Sequence, residues 1–411
     1  MGTDAEALVQ TIWRQTHAEI AADRLVRRAL TETQSCALLP GTFSVVALGK
    51  AGSAMLDGVL AARGDDVVGG MVIGTSSAEF SSDLPSHIEV YVGDHPTPGP
   101  ASFAAGRRLL AWAREAAARA VPVLVLMSGG SSACCEVPAD TISDEELMIA
   151  HHALVASGLP IAEINAARGR LSALKHGGLA DALGDALRAV FILSDVPSGG
   201  PASVGSGPCF YDHRAVTPAA LAQLSPTLRA RLRERVPERP LSTKVHTTVL
   251  ASPETLLHVA QEAARALGVT SISCLPPSHH GCGPLADRLC ASLAPGAGLF
   301  LTTGEVGIAL PAPHRVGRGG RAQHLLLELA HRAPPLGDWA AMAVASDGRD
   351  GSAGAGGVLT PATLRALAPD ELSAALSSFS SGALFSRVGA QIAEFPARSN
   401  LTDLYMGLGL A

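Results

Sequence analysis

The sequence predicts an α/β protein of two domains with mainly parallel sheets, and three observations predict it. Short β-branched apolar runs recur along the chain, each closing on Gly or Ser and each followed by an Ala/Leu-rich amphipathic segment. That alternation is the pattern of buried parallel strands covered by helices on both faces. The length of 411 residues exceeds what one core of ordinary size organises. Hydrophobic residues make up 47% of the chain and charged residues only 17%, which excludes a largely disordered protein.

Taken in order, residues 1–35 are helical in pattern, with Ile12, Leu25 and Leu30 set among Ala, Glu and Arg. Strand-like runs follow at 43–48, 71–73, 88–92, 121–127 and 190–193. A polar stretch at 225–243, rich in Pro and Arg (Arg229, Arg231, Arg233, Arg235, Arg239), reads as a surface connection. The strand-helix pattern resumes at 247–251, 270–275, 298–303, 306–310 and 341–345. No fixed-period repeat is present. The domain boundary falls between about 215 and 300 and is set at 240, giving domains 1–240 and 241–411.

Composition removes several function classes. A net charge of −6 with 31 basic residues argues against a broad nucleic-acid surface and leaves a local basic pocket open. The longest aliphatic stretch, 121–127, is far short of the roughly 18 residues a membrane helix needs. The acidic N-terminus leads to no apolar segment, so no signal peptide is expected. Seven cysteines, an odd number, do not form a disulfide framework. These features place the protein in the cytoplasm.

Ligands of parallel sheets bind beyond the carboxyl ends of the strands, so the tips carry most of the functional information. After 45–48 come Gly49-Lys50-Ala51-Gly52-Ser53. Here a lysine beside a helix start suits an anion; a surface lysine at a tight turn is the alternative. After 124–127 come Ser128-Gly129-Gly130-Ser131-Ser132, a backbone nest for phosphate or carboxylate oxygens or a plain strand–helix turn. Ser194-Asp195-Val196-Pro197 places a carboxylate where it suits Mg²⁺, or where it caps the next turn. Gly317-Arg318-Gly319-Gly320-Arg321 puts Arg321 in a helix's first turn, against the helix dipole, which favours a functional role over a structural one. Ser346-Asp347-Gly348-Arg349-Asp350-Gly351 offers two carboxylates on a turn. No GxxxxGK[ST], no GxGxxG after a strand and no GxSxG is present. Cys134-Cys135 and His279-His280-Gly281-Cys282 lack zinc spacing, and His151-His152 read as solvated on a helix. Two cations, two nests and three carboxylates fit phosphoryl transfer, which needs positioning and fixed charge more than covalent chemistry.

The ordered motifs resemble the glycerate 2-kinase family with a MOFRL C-terminal domain, from about Val45 to Leu404. They are Gly49-Lys50-Ala51, Gly93-Asp94-His95-Pro96-Thr97-Pro98, Ser128 to Ala133, Ile164-Asn165 with Arg168, and Leu171-Ser172 with Lys175. Ser194-Asp195-Val196-Pro197, Ser206-Gly207-Pro208, Gly304-Glu305, Gly319-Gly320-Arg321, Asp347-Gly348 with Asp350-Gly351, and Asn400 with Asp403-Leu404 complete the series. The resemblance implies two Rossmann-like domains, a glycerate-kinase-type one and a MOFRL-type one, with an active-site cleft between them. It implies transfer of the γ-phosphoryl of ATP, with Mg²⁺, to the 2-hydroxyl of D-glycerate. Catalytic residues would be Lys50, Arg321 and Asp195, Asp195 also meeting the metal. Substrate would be bound by Ser128, Gly129, Gly130, Ser131, Ser132, Asn165, Arg168, Lys175 and Arg398. The nucleotide would meet Gly319, Gly320, Glu305, Asp347, Asp350 and Asn400. Lys50 and Arg321 are expected to reach one anionic pocket from opposite sides. Expected partners are a small-molecule substrate and a nucleotide, without nucleic acid or membrane, and a homodimer is left open.

The chain also departs from the family pattern, at Pro197-Ser198-Gly199-Gly200, Ala322-Gln323-His324, Ser252-Pro253, Ser377-Ser378-Phe379 and Phe395 to Ser399. Carboxylates and carboxamides are lost there, and Arg398 is gained, which suits an extra anionic group on the acceptor. Two readings therefore stay open beside a kinase of D-glycerate or a related acceptor. One is an inactive relative that binds nucleotide or a small anion; the other is a hydroxypyruvate reductase, which the missing dinucleotide fingerprint disfavours.

Overall fold

The computed structural model describes residues 4–31, 38–197, 200–211, 214–234, 245–310 and 316–411. Two compact units are present, Ala22–Leu250 and Met1–Ala21 with Ala251–Ala411.

In the unit Ala22–Leu250 the central apolar runs become strands buried along their length, while the edge strands are buried only in part. The strands are β1 (Phe43–Leu48), β2 (Val67–Gly74), β3 (Ile88–Val92), β4 (Val123–Met127), β5 (Leu187–Leu193) and β6 (His246–Ala251). They form one sheet in the order β3-β2-β1-β4-β5-β6. Neighbours from β3 to β5 run parallel. Every residue of β1 and β4 is buried, as expected for central strands covered on both faces. Leu48 pairs with both Ile73 and Met127, and Met127 pairs with Ile192. This register brings the segments that follow β1, β4 and β5 to one edge of the sheet. The main core lies against the sheet around Leu109, Trp112, Leu179 and Leu183. A second core, around Phe103, Leu147, Leu154 and Leu171, reaches Leu228 and Leu232. Those two leucines sit in a helix, Pro226–Glu234, inside the stretch expected to be a surface connection. Their spacing of four residues is helical, and the surrounding arginines masked it. The rest of that stretch lies outside the described residues.

The other unit holds β7 (Ile272–Cys274), β8 (Ser278–Gly281), β9 (Gly298–Gly307), β10 (Trp339–Ala345), β11 (Gly356–Leu359), β12 (Gln391–Ile392) and β13 (Asp403–Gly409). The order is β12-β11-β10-β13-β9-β7, with β8 also on β9. The α/β class is as expected, but this second sheet is mixed rather than mainly parallel. β13 runs antiparallel to both β9 and β10, and β11 antiparallel to β10, whereas β7 and β8 run parallel to β9. β11 and β13 begin or end on glycines and carry no β-branched run, so their sequences did not read as strands. The two runs at 298–303 and 306–310 belong to one strand, β9, which ends at Gly307.

The first helix, Ala5–Glu19, packs in this second unit rather than with the domain expected at 1–240. Its buried stripe is Val9, Ile12, Trp13 and Thr16, and the Ala5 amide donates to Asp338 Oδ1 at 3.0 Å. Among the described residues no helix is long and apolar enough to cross a membrane.

Candidate functional site

In the unit Ala22–Leu250 the tips of β1 and β4 are stitched together. The Gly49 amide donates to Ile73 O, and the Lys50 amide to Gly129 O, both at 3.0 Å. The Ser128 hydroxyl donates to Leu48 O at 3.1 Å and accepts from the Ala51 amide at 3.0 Å. Ser128 is fully buried, so both hydrogen-bonding functions of its hydroxyl are engaged by backbone. This gives it a positioning geometry rather than that of the expected substrate ligand. Gly129 likewise spends its carbonyl on Lys50.

Lys50 is half-buried. Its Cγ lies 3.1 Å from the place a Cβ on Gly130 would occupy, with Thr75 Cγ2 at 3.3 Å and His95 Cδ2 at 3.6 Å. Gly130 is left-handed (φ +86°) and opens the short helix Ser131–Cys134. Lys50, Thr75 and His95 therefore converge on the glycine nest. Asp94, from the same motif as His95, caps the helix Pro100–Ala118 by accepting from the Ala101 and Ser102 amides. Ser132 is half-buried, and Asp195 stands half-buried at the tip of β5. The departure residues Ser198 and Gly199 lie outside the described residues.

Behind the nest, Asn165 and Arg168 sit one turn apart on the helix Ile161–Leu171. Asn165 Oδ1 accepts from Ser206 Oγ at 3.1 Å. Ser131 Oγ would meet a Cβ on Gly205 at 2.2 Å, which places Ser131 beside Gly205 and Ser206. Among the described residues, Ser131 Oγ and Arg168 Nε are buried without hydrogen-bond partners. A buried donor left unpaired costs about 1–3 kcal/mol, so an acceptor oxygen at either atom is stabilising.

Lys175 departs from its expected role. Its side chain is buried and its ammonium donates to Glu136 Oε2. Glu136 Oε1 accepts from Ser172 Oγ and from the Val137 amide. His151 Nε2 lies 3.4 Å from Glu136 Oε2. Burial alone would raise the Glu136 carboxyl, but Lys175 and His151 outweigh it and hold the group down at about 2. Burial, then the nearby Lys175 charge, pushes His151 down to about 4, so it is neutral at pH 7. His151 is thus fully buried, not solvated as its helical setting suggested. Sequence reasoning missed Glu136 altogether, because nothing in a single sequence shows that it pairs with a lysine 39 positions away.

In the second unit, Arg321 opens the helix Arg321–Ala330. Its Nη2 donates to Glu305 Oε1 at 2.7 Å and its Nε to Asp403 Oδ2 at 3.2 Å. Glu305 comes from β9 and Asp403 from the start of β13. Burial opposes the Arg321 charge, but the two carboxylates outweigh it and push its pKa upward. Asp350 accepts from the Ala322 and Gln323 amides at 3.0 and 2.9 Å. It therefore caps this helix from the loop after β10, and it is 2% exposed. A Cβ on Gly320 would lie 2.1 Å from Asp350 Oδ1, so that glycine makes room for the cap, and Gly319 makes room for Ser381 Oγ in the same way. Asp350, Gly319 and Gly320, expected at the nucleotide, are accounted for by internal packing.

Asp347 Oδ1 accepts from the Arg349 amide at 3.2 Å. Among the described residues, Asn400 Nδ2 and Thr402 Oγ1 are buried without partners, on a loop latched to Ser346 by the Leu401 amide and Ser399 Oγ. Arg398 is exposed; with burial as the larger cause, its charge helps push His17 below its usual value. His324 stacks on Phe379 with ring centroids 5.0 Å apart and planes 9° apart, so two of the departures from the family pattern meet each other. No group of three or more His, Cys, Asp or Glu poised to hold a metal is found among the described residues.

Residues 8–239 match the domain of unknown function DUF4147, and residues 298–403 match the MOFRL family. An Agrobacterium vitis protein named "Putative hydroxypyruvate reductase" is 30% identical over 393 residues, covering 89% of this chain and 86% of its own. A Thermotoga maritima protein named D-glycerate 2-kinase is 26% identical over 392 residues, covering 89% and 90%. The crystal structure of a Thermotoga maritima glycerate kinase superposes with a TM-score of 0.81 at 23% identity, covering 98% of this chain and 99% of that one; it shares the fold. The chain belongs to the DUF4147 family and carries a MOFRL domain in its C-terminal half.

Proposed function

We propose that this protein is an ATP-dependent phosphotransferase acting on a hydroxyl of a small hydroxy acid, with D-glycerate, phosphorylated at its 2-hydroxyl, as the leading acceptor. One observation carries the reading. In a chain whose relatives include proteins named D-glycerate 2-kinase and glycerate 2-kinase, two buried donors, Ser131 Oγ and Arg168 Nε, have no partner among the described residues, in the unit that holds Lys50. A carboxylate or phosphate oxygen suits either donor.

Each residue has a chemical task under this reading. Arg168 and Ser131 take the acceptor's anionic group, and Asn165, fixed by Ser206, orients its hydroxyls. Lys50 and Arg321, each in its own unit, are assigned the task of a fixed cation that offsets phosphoryl charge, which is where fixed cations lower the barrier most. Mg²⁺ enters with ATP as the substrate complex. A magnesium ion keeps several waters and needs only one or two carboxylates beside the phosphates, so the single carboxylate of Asp195 at a strand tip fits such an ion. Asn400 Nδ2, unpaired in the second unit, is assigned to the nucleotide together with Glu305 and Asp347. The free thiols of Cys134, Cys135, Cys209, Cys274, Cys282 and Cys290 support a reducing, cytoplasmic setting.

A coupled assay for ADP, run with Mg-ATP and a panel of hydroxy acids, tests the proposal. Acceptor-dependent ADP release is expected with at least one of them, and Lys50→Ala lowers it by about 10² or more. ADP release with no acceptor on the panel overturns it. A second reading, reduction of hydroxypyruvate by a nicotinamide dinucleotide, is favoured by the sheet order β3-β2-β1-β4-β5-β6, which dinucleotide-binding folds share. Fold order alone does not carry function, and oxidation of NADH by hydroxypyruvate decides that reading.

A further inference from the structure

We propose that Asp403 is a positioning residue for Arg321, and that the Tyr405 hydroxyl fixes Asp403 in turn. The inference rests on the reading of Arg321 as a phosphoryl-stabilising cation. It adds to the motif residues Asp403 and Glu305 a chain of contacts, through Tyr405 and Val306, that no motif pointed to.

The chain runs through the second unit. The Val306 amide donates to the Tyr405 hydroxyl at 3.2 Å. That hydroxyl donates to Asp403 Oδ2 at 2.9 Å, and the same oxygen accepts from Arg321 Nε at 3.2 Å. Glu305 Oε1 takes Nη2 of the same guanidinium at 2.7 Å. Nε and Nη2 lie along one edge of the planar fork, so two carboxylates grip that edge and set the direction of the rest. The grip is unequal. The Glu305 side chain is 39% exposed, whereas that of Asp403 is 5% exposed and Tyr405 is fully buried. A buried partner with one fixed hydrogen-bond donor holds a geometry that an exposed one does not.

The charge balance adds a consequence. Around Asp403 stand Arg321 from the helix that starts there, Glu305 from β9, Asp350 from the loop after β10, and Tyr405 on its own strand. His280 from β8 meets the Tyr405 ring edge-on at 6.3 Å. One guanidinium thus faces three carboxylates. Burial is the largest effect on Asp403 and pushes its pKa up to about 7; the charges of Asp350 and Glu305 act the same way, and Arg321 and the Tyr405 bond oppose them. The grip on Nε is a charge-assisted bond above that pH and a weaker one below it, so turnover rises with pH as Asp403 ionises.

Two measurements on wild type, Asp403→Asn and Tyr405→Phe test this. The first is labelling of Arg321 by phenylglyoxal at fixed pH, read by peptide mass spectrometry. Arg321 is expected to label about tenfold faster in Asp403→Asn, the weight of one charge-assisted hydrogen bond, and at an intermediate rate in Tyr405→Phe. The second is the pH profile of kcat with Mg-ATP and the acceptor. The acid limb near pH 7 is expected to vanish in Asp403→Asn, where kcat falls by about 10–10² with KM nearly unchanged. In Tyr405→Phe, which keeps the ring in the core, the limb moves to higher pH because a bond that favours the carboxylate is gone. Wild-type labelling rates in both variants, or an unmoved acid limb in both, overturn the inference. A wild-type protein without kinase turnover overturns the proposed function instead, and the labelling arm then decides the positioning role alone.

Discussion

At the scale of single residues, Glu136 shows how burial changes the role of a charged group. Its carboxylate and the Lys175 ammonium satisfy each other in the interior, and Ser172 and Val137 complete the carboxylate's hydrogen bonds. Removing one partner leaves an unpaired buried charge. Glu136→Gln is therefore expected to cost about 3–5 kcal/mol in urea unfolding, and the double variant Glu136→Gln/Lys175→Met to recover much of it. A single-variant loss under about 1 kcal/mol would show that the pair bears no such weight. His151 beside it gives a pH signature. Its pKa is near 4 when folded and 6.5 as the reference value, so between those values the unfolded chain binds the extra proton. Stability is then lost as pH falls from about 6.5 toward 4, and His151→Gln flattens that slope. Melting curves at pH 7, 5.5 and 4.5 check it; equal slopes contradict it. Lys50, Arg321 and Asp195 stood out in the sequence as candidates because each follows a strand tip or a glycine loop. Asp403 stood out only as part of a motif, without its partner, and Glu136 and Tyr405 did not stand out at all, since their contacts come from burial and from partners far away in the chain.

At the scale of elements, the helix Arg321–Ala330 is the clearest case of sequence and structure informing each other. Its glycine loop announced a helix start, which is there, and an arginine in the first turn, whose functional role is a proposal. What the loop did not announce is that Asp350, 28 residues on from Ala322, closes the helix end by taking two amides. An isolated Asp-Gly turn carries no such information. Asp350→Ala is expected to lower stability by about 1–2 kcal/mol, the usual weight of an N-cap, and to weaken the placement of Arg321 in the first turn. A melting temperature equal to wild type would contradict the capping role. The strands divide the same way. Those of the first sheet were legible because a strand covered on both faces must be a continuous apolar run. β11 and β13 were hidden because antiparallel strands carrying glycine and a buried carboxylate give no such run. Inserted against β9 and β10, β13 brings Asp403 to Arg321, so the least legible strand supplies part of the candidate site.

At the scale of the whole chain, each of the two units carries candidate site residues, Lys50 and Arg168 in one and Arg321 in the other, and they lie within family matches that cover residues 8–239 and 298–403. Two of the departures from the family pattern, His324 and Phe379, stack on each other. The central claim is that the chain moves a phosphoryl group from ATP to the hydroxyl of a small hydroxy acid. The most direct measurement is ³¹P and ¹³C NMR of the products formed from Mg-ATP and ¹³C-labelled D-glycerate. The account predicts a new phosphate monoester resonance, with phosphorus coupling on C2 of the acid, growing as ADP appears and lost in Lys50→Ala. ADP appearing with inorganic phosphate alone, or no conversion of labelled D-glycerate or any other hydroxy acid, would contradict it.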